Sequence, residues 1–309
     1  MDVRTRESGM ARRFSILGDS ISTLKGCNPA GFAVFYEDGR DELAGIKGPQ
    51  DTWWGKVIDR FDGELLVNGS WSGSMVEGEG CPAAWSPERI AALAEGDETP
   101  DDIIVFLGTN DYGWGGARAQ ACGRSSARPS CLDLSKYPEE VAGMAAPDAL
   151  EKFKTSYVLM LGNLKAAYPQ ARIWCCTLIP GRVAGSLVPT HAWNLRGIPM
   201  RAYCDAILEA ARECGCTGLD LVGLGYDYES LEGTHPTELG MRQIAAMVES
   251  AMEGTSLPQE LFSPDTPSRA GVPVDWHSNV RCDNVCVGCP WAKGTGNAWY
   301  TVCLKPADA

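Results

Sequence analysis

The stretch FSILGDSIS, residues 14–22, places a serine just beyond a short apolar run. A serine hydroxyl is a weak nucleophile until a base takes its proton, and Gly, Asp and Ser are also ordinary turn residues. Ser20 therefore acquires chemistry only through a partner. Three histidines are available, His191, His235 and His277. His235 lies in ESLEGTHPTELGM, in a loop directly before an amphipathic segment, where an imidazole can face a site assembled from strand ends. His191 falls in a loop and His277 in the segment beyond the main domain, so Ser20 and His235 are the candidate nucleophile and base. Two other apolar runs also end in Gly and small polar residues, at NGSWSGS (68–74) and GTND (108–111).

The elements that would carry these segments follow from hydrophobic patterning. Short β-rich runs at 13–17, 64–68, 102–108, 171–179 and 217–224 alternate with amphipathic segments at 52–61, 86–95, 147–168, 198–215 and 236–254. This alternation predicts a parallel sheet covered by helices, and several runs are continuously apolar, as strands buried on both faces must be. Open α/β sheets build their sites beyond the carboxyl ends of the strands, where Ser20 and the segments 68–74 and 108–111 would all fall. Residues 111–146 read as a long loop rich in Gly, Ser and Arg. Proline-rich composition marks a linker over 255–280, between a main domain (1–254) and a small cysteine-rich tail (281–309).

GDSIS (18–22), NGSWSG (68–73), GTND (108–111) and EGTHP (232–236) resemble, in order and at plausible separations, the four blocks of the SGNH/GDSL hydrolase family. The resemblance implies a flavodoxin-like three-layer α/β/α fold, with Ser20, Gly73, Asn110 and His235 as the family's four namesake residues. It further implies that Ser20 attacks an ester carbonyl with His235 as base. The backbone N–H groups of Ser20 and Gly73 and the Asn110 amide would then meet the oxyanion. Glycine at 73 would let the backbone approach closely. The family's triad acid is usually an aspartate three residues before the histidine; here that position holds Glu232, one methylene longer, with Asp227 in reserve. Asp19 and Asp111 read as turn-holding acceptors of backbone N–H bonds. A G-x-S-x-G elbow is absent, since GSWSG carries Trp71 at its centre.

Trp71, Tyr112 and Trp114 lie near the site-forming segments, and their faces suit a sugar ring or an acyl chain. Trp53 and Trp54, on a predicted helix, suit core packing. The expected activity is hydrolysis of a small carboxylic ester, such as an acetylated carbohydrate, with no cofactor for catalysis; lipid esters and thioesters stay open. The alternative is a non-catalytic module that binds a glycan or peptide on the same fold. In the tail, Cys282, Cys286, Cys289 and Cys303 could hold a structural zinc through four thiolates, with disulfides or free thiols as the other readings.

A net charge of −13 without a basic stripe argues against a nucleic-acid partner, and no apolar run is long enough to span a bilayer. The expected partner is a small ester substrate. The first seventeen residues lack the hydrophobic region of a signal peptide, which makes cytoplasmic residence the default expectation. Thirteen cysteines, an odd number, are then expected to be mostly reduced.

Overall fold

The computed structural model describes residues 11–77, 82–114, 146–184, 198, 200–231, 233–262, 292–294 and 301–303. In chain order the first half supplies β1 (Arg12–Gly18), α1 (Arg40–Ala44), α2 (Trp53–Arg60), β2 (Gly63–Asn68), α3 (Pro87–Ala91), β3 (Asp102–Phe106) and α4 (Thr109–Trp114). The second supplies α5 (Ala146–Ala167), β4 (Arg172–Cys176), β5 (Gly181–Val183), α6 (Met200–Glu213), β6 (Thr217–Leu219), β7 (Tyr228–Ser230) and α7 (Glu238–Glu253), followed by β8 (Ala292–Gly294) and β9 (Thr301–Cys303).

Five of these strands form a sheet in the order β2-β1-β3-β4-β6, with every pair parallel. The alternating side chains of β3 show why helices must cover both faces. Ile103 and Val105, with Leu17, meet Phe153, Tyr157, Met160, Leu161 and Leu164 of α5 and Tyr203, Ile207 and Ala210 of α6. Ile104 and Phe106, with Phe14 and Ile16, meet Trp53, Trp54 and Val57 of α2 and Met241, Ile244 and Val248 of α7. Burying a side chain of this size stabilises the fold by about 1.5–3 kcal/mol. The result is the three-layer α/β/α arrangement with the flavodoxin-like strand order.

Register then aligns the strand ends. Gly18 of β1 lies opposite Phe106 of β3, and Ile16 lies opposite Asn68 at the end of β2. The chain after each of these strands leaves from the same edge. The winding direction reverses between β1 and β3, and a crevice opens at such a switch point.

Several expectations change in detail. Residues 109–114, expected as a strand end and loop, form α4; residues 115–145 lie outside the described residues. The run 217–224 is strand only to Leu219 and then turns over Val222–Leu224. α3 ends at Ala91, short of the expected 95. The small pair β5–β7 was not anticipated. Beyond α7, Phe262 is buried and packs at a tilt on Tyr226 with ring centroids 4.6 Å apart. β8 and β9 pair antiparallel in the tail. Among the described residues no helix is long and apolar enough to cross a membrane.

Candidate active site

At the end of β1, Asp19 accepts the Ile21 N–H (3.0 Å) and caps a single helical turn, Ser20–Ser22. Thr23 Oγ1 donates to the Ser20 carbonyl at 3.0 Å. Below the turn the Trp53 indole N–H donates to Ser22 Oγ (3.2 Å) and the Trp54 indole N–H to the Ser22 carbonyl (2.9 Å). The two tryptophans, 0% and 1% exposed, are thus core residues, as expected, and also the floor of the Ser20 turn. Burial pushes the Asp19 carboxyl up to about 6, against the opposing pull of the Ile21 N–H and the nearby His235 and Arg89.

His235 reaches this turn from the other end of the chain. Ser230 and Pro236 form an isolated bridge, the Leu231 N–H donates to the His235 carbonyl (2.8 Å), and Thr237 caps α7 by accepting the Gly240 N–H. The loop so fixed sets His235 Nε2 2.9 Å from Ser20 Oγ, across 215 residues of sequence. Both side chains are buried, at 2% and 6% exposure. The imidazole also lies flat against the Phe35 ring, with centroids 3.4 Å apart and planes 4° from parallel. Glu232 lies outside the described residues, as do His191 and His277. The Asp227 carboxylate bonds the Arg182 guanidinium at 3.1 Å, which engages one of its oxygens.

The second and third strand ends meet the first. The Trp71 N–H donates to the Gly18 carbonyl (3.0 Å), which ties the 68–74 loop to the nucleophile turn, and the Ser72 N–H donates to the Ala33 carbonyl (2.8 Å). Gly73 has a φ of +80°, and a Cβ there would meet open space. The left-handed backbone by itself favours glycine at this position, and the open space beside it is room that a side chain would take up. In the first turn of α4, Asn110 Nδ2 donates to the Ser74 carbonyl at 2.9 Å, which leaves its second N–H for another acceptor. Asp111 accepts the Val76 and Glu77 N–H groups at 2.9 and 2.7 Å, the turn-holding role its type suggested. Burial raises its carboxyl to about 7, opposed by those same two bonds.

Sequence reasoning missed the residue that joins these loops. Arg89, on α3, is 0% exposed. Its guanidinium donates to Ser74 Oγ (2.6 Å) and to the carbonyls of Pro82 (2.7 Å), Gly69 (3.0 Å) and Gly18 (3.2 Å). In the sequence it looks like a surface cation of a short amphipathic helix, and nothing local marks it as buried.

The aromatic candidates divide. Trp71 is half-buried and packs on Phe32 with centroids 4.5 Å apart, beside the nucleophile turn. Tyr112, expected at the site, is 2% exposed and lies edge-on to Tyr203 in the core, because α4 turns it inward. The Trp114 side chain and the cysteines 282, 286 and 289 lie outside the described residues, and only the backbone of Cys303 is described. Among the described residues no group of three or more His, Cys, Asp or Glu side chains could hold a metal ion.

A parallel sheet of this strand order, with polar loops meeting at the β1/β3 switch point, is the three-layer α/β/α arrangement of the SGNH hydrolase fold. The chain belongs to the GDSL-like lipase/acylhydrolase family, whose model matches residues 12–179, more than half of its length. The match takes in the first three sequence blocks and stops before His235. Among solved structures, a Bacteroides uniformis protein assigned as a GDSL-like lipase is 27% identical, with 79% of this chain and 96% of that one aligned and a TM-score of 0.53. An aryl esterase from M. smegmatis is 18% identical over 80% of this chain and 100% of that one, with a TM-score of 0.45. A Corynascus carbohydrate esterase family 2 enzyme carrying a carbohydrate-binding domain is 18% identical over 81% of this chain and 68% of that one, also at 0.45. Comparison with curated proteins gives no match. Family and fold together make the chain a hydrolase of the esterase class.

Proposed function

We propose that the chain is a serine ester hydrolase acting on a small carboxylic ester through an acyl-enzyme on Ser20. The observation that carries this reading is the 2.9 Å contact between Ser20 Oγ and His235 Nε2, both buried at the switch point of the sheet. In the first half-reaction Ser20 Oγ bonds to the ester carbonyl carbon while His235 takes the hydroxyl proton. The carbonyl electrons move onto oxygen. That oxyanion is met by the backbone N–H groups of Ser20 and Gly73 and by the second N–H of the Asn110 amide. Collapse breaks the bond to the alcohol, which leaves with the proton from His235; water, activated by the same imidazole, then releases the acid. No cofactor enters these steps.

Glu232 is our candidate for the acid behind His235. The alcohol side is assigned to Trp71, whose half-buried indole sits in the loop tied to the nucleophile turn and is of a type that suits a sugar ring. An acetylated carbohydrate fits that combination of a small acyl group and a planar wall.

The test is incubation with a fluorophosphonate and with p-nitrophenyl esters of increasing acyl length, alongside Ser20→Ala. Labelling at Ser20, with hydrolysis lost in the variant and greatest for the acetate, is expected. Equal hydrolysis by Ser20→Ala would overturn the mechanism, and no labelling or turnover at all would move the fold to the binding-module reading.

A further inference from the structure

The nucleophile turn and the histidine loop come from opposite ends of the sequence, and their 2.9 Å contact must be held to within a few tenths of an ångström for proton transfer. One short segment touches both. The Phe35 N–H donates to Thr23 Oγ1 at 2.9 Å, and that hydroxyl donates in turn to the Ser20 carbonyl at 3.0 Å, so the backbone of residue 35 is bonded into the Ser20 turn. The Phe35 ring meanwhile covers a face of the His235 imidazole at 3.4 Å. The next residue repeats the pattern. The Tyr36 hydroxyl donates to the Pro236 carbonyl at 2.7 Å, the Lys25 N–H donates to the Tyr36 carbonyl at 3.1 Å, and the Tyr36 ring stands edge-on to the imidazole. Phe35 holds the turn with its backbone and the histidine with its ring, while Tyr36 ties the histidine loop, through its hydroxyl, to the segment just after the turn, through its carbonyl.

We infer that Phe35 and Tyr36 are positioning residues for the Ser20–His235 pair, acting as a two-residue clamp that fixes the imidazole plane and its distance to the nucleophile. The inference rests on the mechanism proposed above. Phe35 supplies the flat face and Tyr36 the anchor one residue from His235. Arg40 lies 5.2 Å from the centroid of the Phe35 ring, and its Nε donates to the Glu37 carbonyl at 3.0 Å, so the ring is itself braced from within its own segment. A stacked neighbour forbids tilting of the imidazole while leaving its in-plane nitrogens available. The clamp therefore bears on the chemical step and not on substrate affinity, and a misplacement of about 1 Å at such a step can cost on the order of 100-fold.

The experiment compares Phe35→Leu, which keeps apolar bulk but not the flat face, with Phe35→Tyr, which keeps the ring, and with Tyr36→Phe, which deletes only the hydroxyl. Ser20→Ala is the control. For each, kcat and KM on p-nitrophenyl acetate, the rate of fluorophosphonate labelling and the melting temperature are measured. Phe35→Leu is expected to lower kcat and the labelling rate together by about tenfold or more at nearly unchanged KM. Phe35→Tyr should stay close to the native enzyme, and Tyr36→Phe should remain folded with kcat lowered several-fold. Native kcat and labelling in folded Phe35→Leu would overturn the clamp, as would an equal loss in Phe35→Tyr. Should Phe35→Leu fail to fold, native kcat in Tyr36→Phe overturns it alone. Failure of the underlying mechanism looks different, since Ser20→Ala would then keep its activity whatever the clamp variants do.

Discussion

Asn110→Ala separates two jobs that one side chain performs. The Nδ2 group gives one N–H to the Ser74 carbonyl at 2.9 Å and has a second to offer the oxyanion. The first bond is structural, and removing its donor leaves a buried carbonyl unsatisfied at a cost of about 1–3 kcal/mol in stability. The second acts only when negative charge develops, and losing one such donor typically costs about 100-fold to 1,000-fold in kcat, or about 2.7–4 kcal/mol of transition-state stabilisation. Steady-state kinetics on p-nitrophenyl acetate, paired with urea denaturation, read the two separately. The expected result is a kcat lower by about two to three orders of magnitude at little-changed KM, in a protein that still folds. Asn110→Asp, which keeps the shape but replaces the donor with an acceptor, should be at least as impaired. A kcat within about tenfold of native in folded Asn110→Ala would refute the oxyanion role and leave Asn110 as a strut for Ser74.

Two further outcomes concern the frame around the site. Asp111 is held near 7 and Asp19 near 6 by burial, so between the ordinary carboxylate value of 3.8 and those values the folded chain binds protons that the unfolded chain has released. Stability must therefore fall as pH rises through that window, by about 1.4 kcal/mol for each unit of difference. The melting temperature should drop between pH 4.5 and 7.5 more steeply for the native chain than for Asp111→Asn, and parallel profiles would show the carboxylate to be ionised throughout. Arg89→Met removes donors from the carbonyls of Gly18, Gly69 and Pro82 and from Ser74 Oγ. A loss of about 3 kcal/mol or more in urea denaturation is expected, and a loss below about 1 kcal/mol would contradict the hub role.

Much of this molecule is legible in its sequence. The apolar run within 102–108 announces a strand buried on both faces, and Asp102–Phe106 is buried throughout; within 171–179, β4 buries Ile173, Cys175 and Cys176 but leaves Trp174 half-buried and Arg172 exposed. The segments 53–60, 146–167, 200–213 and 238–253 carry helical spacing of apolar residues and form helices within two residues of the expected bounds. Other features left no local trace. β5 and β7 are three residues each and pair across more than forty residues, too short for any periodicity to show. Thr109–Trp114 is rich in the residues of turns, yet it is helical; its Asp111 holds the Val76 and Glu77 amides and its Tyr112 fills the core. Phe35 sits between Gly26, Asn28, Pro29 and Gly31 on one side and Gly39 on the other, in a stretch without helical or strand periodicity, and such stretches carry no pattern that distinguishes a buried ring from an exposed one.

The sequence by itself determined the class of fold, the family and the residue types of the site, because periodicity and strand-end composition are short-range properties written in neighbouring letters. Only the tertiary structure decided how close His235 comes to Ser20, that Phe35 lies on that histidine, that Tyr112 turns inward and that Arg89 is buried among carbonyls. Those contacts join residues tens to hundreds of positions apart. They exist only once the sheet has set its strand order and register, so that loops with no pattern of their own are packed against one another at a common edge.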